Sequence, residues 1–321
     1  MRSEAVFRRL LAATHPTIPE GKRTRKAPNL ANGRDGSAHG VAMSAATLRL
    51  LTWKKDEDVR KMSAARLRIS IRLGQFVGRT PGLSAGKLQA NIVVIPNRYA
   101  HEFQQFCARN PKACPLVAVG SVGSPHIRAL GDIDLRTDAP QYDVYRFGEL
   151  VSRKTDITKE WREDFSTFAL GSSFTFENRL IDSGIELRHV RMGIKVPVYR
   201  SSIRTVRVGP FSGNIAVSMR PIRRIDIDKV RAISVRYPQA HGAPIHIGAP
   251  DVIGIDDIEA PDWGDAVGVR DDEVPVFWAS GLTAQNALQR ARPEIFITNA
   301  PGYMLITDVD SRADVGPFRV Y

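Results

Sequence analysis

The octet from His241 to Gly248, His-Gly-Ala-Pro-Ile-His-Ile-Gly, sets two imidazoles five residues apart in a loop of glycine and proline. Glycine lets the backbone approach a ligand closely, and proline fixes the shape of the loop. Imidazole exchanges protons near neutral pH, so His241 and His246 are candidates for a general base and a general acid. Asp251, Asp256 and Asp257 stand nearby and could complete a metal site, but the spacing matches no standard metal signature. No metal and no cofactor is therefore expected.

Arg220 ends the apolar run of Val-Ser-Met-Arg-Pro (217–221). A guanidinium there can grip a carboxylate through two parallel hydrogen bonds, or make a salt bridge within the protein. Asp132, Asp134 and Arg136 recur with period two, which would put them on one side of a strand as an ion pair or a site. The acidic group Asp256, Asp257, Asp262 and Asp265 reads as a solvated turn face or as carboxylates crowded enough to raise a pKa. In the glycine-rich stretch 78–87, three residues separate Gly82 from Gly86, and Leu88 follows Lys87. A phosphate loop needs four residues there and a Ser or Thr after the lysine, so the stretch reads as a turn-rich loop. Neither Ser172–Ser173 nor Ser280 sits in a Gly-x-Ser-x-Gly elbow.

These residues need elements to hold them. Asn91–Ile95 reads as a buried strand, Tyr99–Arg109 as an amphipathic helix stopped by Asn110-Pro111, and Cys114–Val119 as a second buried strand. That order suggests a βαβ unit. Thr158 is expected to cap a helix carrying Trp161, Phe165 and Phe168, and Phe174–Ile181 to form another, ended by Gly184. Strands are expected at Ile185–Val190, Val196–Tyr199, Arg204–Val208, Asn214–Met219, Glu273–Ala279, Glu294–Thr298 and Met304–Thr307, with a helix over Ala284–Ala291. No internal repeat is evident. Residues 155–240 look like a β-rich inserted lobe.

The chain has 321 residues and a formal net charge of +12. Residues 1–72 carry 16 Lys and Arg against 6 Asp and Glu, and the remainder 30 against 28. The basic character thus belongs to a leader, and a nucleic-acid partner is not expected for the body. Residues 1–61 read as a disordered tail, and translation could start at Met62. A mitochondrial presequence is the alternative reading of the same leader. Two cysteines, Cys107 and Cys114, and no apolar run of membrane-spanning length point to a cytoplasmic protein without a membrane partner. A homo-oligomer is left open.

The segments QANIVVIP (89–96), FCARNPKACPL (106–116), DIDLRTDAPQY (132–142), FTFENRL (174–180), VSMRP (217–221), HGAPIHIG (241–248), GIDDI (254–258), EVPVFWA (273–279) and APGYMLITD (300–308) together resemble the D-glutamate cyclase family, whose bacterial members carry a general hydro-lyase label. The resemblance runs from about Arg72 to Asp308. It implies an α/β fold, with a three-layer α/β/α domain over residues 62–321 and a second, smaller two-layer α+β lobe. It implies a hydro-lyase acting on a small carboxylate, most simply cyclising D-glutamate to 5-oxo-D-proline with loss of water. His241, His246, Arg220, Asn91 and Glu177 match the family pattern, which has Cys where Ser172 and Ser280 stand, His where Asn299 and Tyr303 stand, and an acidic residue at Ala249. On this reading His241 and His246 are catalytic, while Arg220, Asn91, Glu177, Ser172 and Ser280 bind substrate. Serine is less acidic and less nucleophilic than cysteine. The departures therefore also admit a catalytically impaired protein that binds a small carboxylate.

Overall fold

Lys87–Pro96 forms strand β1, with Ile92 and Val94 buried toward one side and Val93 and Ile95 toward the other. Both faces are covered, so the run shows no polar alternation. A computed structural model describes residues 59–313. The leader read over residues 1–61 lies outside the described residues except for its last three.

Helix α1 (Ala64–Arg72) precedes β1, and α2 (Ala100–Arg109) follows it. Then come β2 (Leu116–Val119), β3 (Tyr142–Arg146), β4 (Glu149–Lys154) and β5 (Phe165–Gly171). Helices α3 (Phe174–Asp182) and α4 (Arg188–Met192) lead to β6 (Val198–Arg204), β7 (Asn214–Arg223), α5 (Ile227–Ser234) and the short β8 (His246–Ile247). The chain continues through β9 (Glu273–Ala279), α6 (Leu282–Ala291), β10 (Phe296–Asn299) and β11 (Leu305–Asp310). It is an α/β fold of mixed helices and two antiparallel sheets.

The larger sheet has the order β2-β5-β1-β10-β3-β4, with β11 also on β1, and the smaller the order β6-β7-β9-β8. Strands β1 and β2 both run antiparallel to β5, so they are parallel to each other with β5 between them. The expected βαβ unit is thus split by a strand that arrives later in the chain. That same strand divides the stretch 155–240. Its β5 is central to the larger sheet, while β6 and β7 need β9 to complete the smaller one. The stretch is therefore no self-contained lobe.

One buried cluster fills the space between the sheets. It joins Val93, Ile95 and Phe168 to Val217, Met219 and Phe277, with Phe103 and Phe106 from α2 and Ala287 and Leu288 from α6. A second covers the other face of the larger sheet with Ile127, Leu130, Ile133 and Leu135. A third packs Phe176 and Leu180 of α3 and Val230 of α5 on Ile222, Val276 and Trp278 of the smaller sheet.

Several expected elements differ. Arg204–Val208 keeps only the last residue of β6 and a bridge from Val208 to Phe211, and Asp132, Asp134 and Arg136 lie in a turn-rich segment rather than a strand. Only a short 3-10 turn forms at Thr158–Glu160, and Phe165 and Phe168 lie in β5, buried throughout. Burial on both faces removes the period-two signal, so aromatics three apart imitate a helix. Ile185–Val190 is no strand. Its end opens α4, where Arg188 reaches Glu273 at 2.5 Å and His189 reaches Glu177 at 3.1 Å. Those two contacts outweigh the local β-preference.

Candidate active site

The chain passes between its two sheets at two serine-bearing turns. β5 leaves the larger sheet at Gly171, and after Ser172 and Ser173 helix α3 packs on the smaller sheet. β9 leaves the smaller sheet at Ala279, and after Ser280 and Gly281 helix α6 leads back to β10 of the larger one. A cavity of about 630 Å³ opens between these turns. Of the expected site residues, Asn91, Ser172, Glu177, His241 and Ser280 line it. Arg220 and His246 do not.

Arg220 has no solvent exposure, and its guanidinium is fully engaged within the protein. It donates from Nε (2.9 Å) and Nη2 (2.6 Å) to Glu177 Oε1, from Nη2 to Ser173 Oγ (3.0 Å) and from Nη1 to Ser218 Oγ (3.1 Å). It also lies over the Trp278 ring, 5.2 Å from its centroid. The expected carboxylate clamp is instead a brace behind the cavity wall, because α3 delivers a carboxylate that takes both of its donors. Burial alone would raise the pKa of Glu177. His189 and Arg220 beside it outweigh burial and hold it at about 2. Glu177 is therefore an anion, and a neutralised one.

His246 lies on the ring of Phe277 and donates from Nε2 to the carbonyl of Ala249 at 2.7 Å. His241 is placed differently. It is buried, and its backbone sits in the left-handed region at φ 75°. A non-glycine residue there carries roughly 1–3 kcal/mol of strain, a cost found mostly at functional sites. Its Nδ1 is 2.9 Å from the carbonyl oxygen of Lys112. A carbonyl only accepts, so Nδ1 carries the proton and Nε2 keeps its lone pair. Burial first, then the charges of Arg220 and Lys112, push the imidazole down to about 4. His241 thus meets the cavity as an uncharged base.

The second cavity histidine is His189, which the sequence did not single out. It is buried, and Nε2 approaches Glu177 Oε1 at 3.1 Å without the alignment of a hydrogen bond. The glycine-rich stretch also gains a role, since Arg79, Gly82 and Leu83 form part of the wall. Arg79 and Lys195 both line the cavity and make its lining cationic, because Glu177 is already compensated. The other acidic motifs stay outside. Asp134 pairs with Arg136, Asp138 with Arg72 and Asp262 with Arg200. Among the described residues, no three of His, Cys, Asp and Glu converge as metal ligands.

The D-glutamate cyclase family matches residues 166–308, a span holding Ser172, Glu177, His189, His241 and Ser280. A protein of Jannaschia sp. (strain CCS1) named "Putative hydro-lyase" is 50% identical over 252 residues, 78% of this chain and 95% of that protein. The chain belongs to the D-glutamate cyclase family. Two further proteins named "Putative hydro-lyase" agree. One, from Cupriavidus taiwanensis, is 51% identical over 248 residues, 77% of this chain and 93% of its own length. The other, from Bradyrhizobium diazoefficiens, is 46% identical over 264 residues, 82% and 97% of the two chains. These relatives are bacterial, which gives the mitochondrial reading no support. No helix among the described residues is long and apolar enough to cross a membrane. Of the positions where the sequence resemblance implied a departure, Ser172, Ser280 and Asn299 line the cavity, and Tyr303 does not. Asn299 is tied down, accepting from the Ile92 amide at 2.8 Å.

Proposed function

We propose that the chain is a lyase that cyclises D-glutamate to 5-oxo-D-proline, releasing water. The observation that carries this reading is His241 Nε2, an uncharged base buried in a cationic cavity. A cavity walled by Arg79 and Lys195 suits a small carboxylate. His241 would take a proton from the substrate ammonium, freeing the nitrogen lone pair. That nitrogen attacks the side-chain carboxyl carbon, forming the C–N bond. The proton held by His241 and a second from the nitrogen pass to the departing oxygen, which leaves as water. Both reacting groups belong to one molecule, so positioning supplies much of the rate. The Asn91 amide and the backbone amides of the serine turns are suited to the charge that grows on the tetrahedral oxygen. Glu177 takes part as the buried partner of Arg220 rather than as a substrate ligand.

The family reading extends to the finer fold expectation of a three-layer α/β/α domain with a smaller two-layer α+β lobe. Two free, buried cysteines suit a cytoplasmic setting.

Incubating the full chain with D-glutamate tests the reaction. Loss of the primary amine without release of ammonia supports ring closure. Stabilisation of the fold by D-glutamate with no loss of amine would favour the alternative, a small-carboxylate-binding protein on the same scaffold, for which Ser172 and Ser280 in place of cysteine are the specific support.

A further inference from the structure

The two passages into the cavity are copies of one another. Gly-Ser-Ser-Phe-Thr (171–175) and Ala-Ser-Gly-Leu-Thr (279–283) follow one pattern of small residue, Ser, small residue, apolar residue, Thr. Ser173 (φ −58°, ψ −21°) and Gly281 (φ −57°, ψ −19°) have the same backbone conformation. The Thr175 amide donates to the Ser172 carbonyl at 3.0 Å, and the Thr283 amide to the Ser280 carbonyl at 2.9 Å. Each turn is also fastened to a neighbouring strand in the same way. Ser172 donates its amide to the Gln89 carbonyl, and Thr175 Oγ1 accepts the Gln89 amide at 3.1 Å. Ser280 donates its amide to the Ala216 carbonyl, and Thr283 Oγ1 accepts the Ala216 amide at 3.0 Å. Two residues beyond these anchors stand Asn91 and Ser218, and both line the cavity. One turn of helix further along stand Glu177 and Gln285, which also line it. The repeat that the sequence hid is a duplicated strand–turn–helix facing its own copy.

We infer that this duplication gives the cavity two matched anion cradles, one at the N-terminus of each helix, that together hold the two carboxylates of a single dicarboxylate ligand. The inference rests on the cavity being the ligand site of the proposed function, and names how that ligand is seated. The first amides of a helix have no partner inside it, and the helix dipole favours negative charge there. Among the described residues, the amides of Ser173, Phe174 and Gly281 make no hydrogen bond, and all three residues line the cavity. Independent of the helix ends, buried side chains in the cavity lack partners. The Ser172 hydroxyl, in a residue 4% exposed, makes no hydrogen bond among the described residues. Thr298, also 4% exposed, leaves Oγ1 without a partner. Buried polar groups are normally satisfied, so these hydroxyls are open for a ligand oxygen. The Asn91 amide adds a donor at the second cradle, where its Nδ2 lies 2.3 Å from the point a Cβ on Gly281 would occupy. That crowding explains glycine here opposite serine in the other copy.

Calorimetric titration of the full chain with glutarate, glutarate monoamide and pentanoate tests this. Glutarate has a carboxylate at each end and no amine, so it binds without turnover. We expect it to bind about tenfold or more tighter than either monoacid. Equal affinity of glutarate and the monoamide would overturn the inference. A second arm uses Ser172→Asp and Ser280→Asp, each placing a fixed negative charge in one cradle. Each variant that stays folded, judged by circular dichroism, should weaken glutarate by about tenfold or more while sparing pentanoate. Weakening by only one of two folded variants would overturn the matched pair. If either fails to fold, the three ligands on the unaltered chain decide alone. Failure of the cyclase reading looks different, as no 5-oxoproline from D-glutamate with the preference for glutarate intact.

Discussion

Arg220 grips Glu177 from behind the cavity wall, with Nη2 2.6 Å and Nε 2.9 Å from the same oxygen, Oε1. Both side chains are buried, so neither can be removed alone without leaving a bare charge. Ser173, at the mouth of α3, hangs from the same guanidinium at 3.0 Å. The pair therefore fixes both the helix end and the carboxylate that faces His189.

Replacing Arg220 by Met should destabilise the fold by about 3–5 kcal/mol, the usual cost of breaking a buried ion pair from one side. Removing both charges with Arg220→Met and Glu177→Gln together should recover a large part of that loss. Denaturant unfolding of the two single variants and the double variant checks this. A double variant no better than Arg220→Met alone would contradict the pairing.

The pH dependence of stability follows from the same carboxylate. Glu177 is held at about 2, below its ordinary value of 4.5. A depressed acid contributes stability above its unfolded pKa and loses it as pH falls through the folded value. Glu177 should thus contribute about 3 kcal/mol above pH 5, fading toward pH 2. The unfolding free energy of Glu177→Gln should accordingly fall less steeply between about pH 5 and 2 than that of the unaltered chain.

His241 titrates in a higher window. Its imidazole sits at about 4 against an ordinary 6.5, so the folded state disfavours the proton. Its contribution is complete above about pH 6.5 and is lost as pH falls toward 4. The acid limb of kcat should fall near pH 4, with no inflection near 6.5. His241→Ala should lower kcat by about 100-fold or more. His246→Ala, which alters a residue away from the cavity, should change kcat by less than about twofold and cost only stability.

Much of this was legible in the sequence, and the failures have physical causes. Strand β9 appears residue for residue where Glu-Val-Pro-Val-Phe-Trp-Ala reads as a strand, and α3 ends at Asp182, just before the left-handed Gly184 expected to stop it. These segments carry their own punctuation. Phe165–Gly171 is buried on both faces, so its aromatics three apart imitate a helix and hide the strand. Asn91, Ser172, Glu177, His241 and Ser280 do meet in one cavity. Arg220 misled because a strand-end arginine looks alike whether its partner is substrate or α3. His189 was missed because one histidine among charged residues has no local signature. Only packing brings it to Glu177.

Restoring the family residues tests the departures. In Ser172→Cys or Ser280→Cys the thiol would stand at a helix N-terminus beside a cationic wall, which lowers a thiol pKa below 8.5. Alkylation by iodoacetamide should then exceed that of the two native cysteines, which are buried. Turnover of D-glutamate should rise by about tenfold if the cysteines do chemistry in this scaffold. Unchanged turnover with a reactive thiol would show that position to be spare.

The most direct measurement is incubation of the full chain with D-glutamate and, separately, L-glutamate, with 5-oxoproline resolved by chiral chromatography. The account predicts 5-oxo-D-proline from D-glutamate, little from L-glutamate, and none from either with His241→Ala. No product from the folded, unaltered chain, or product undiminished in His241→Ala, would contradict it.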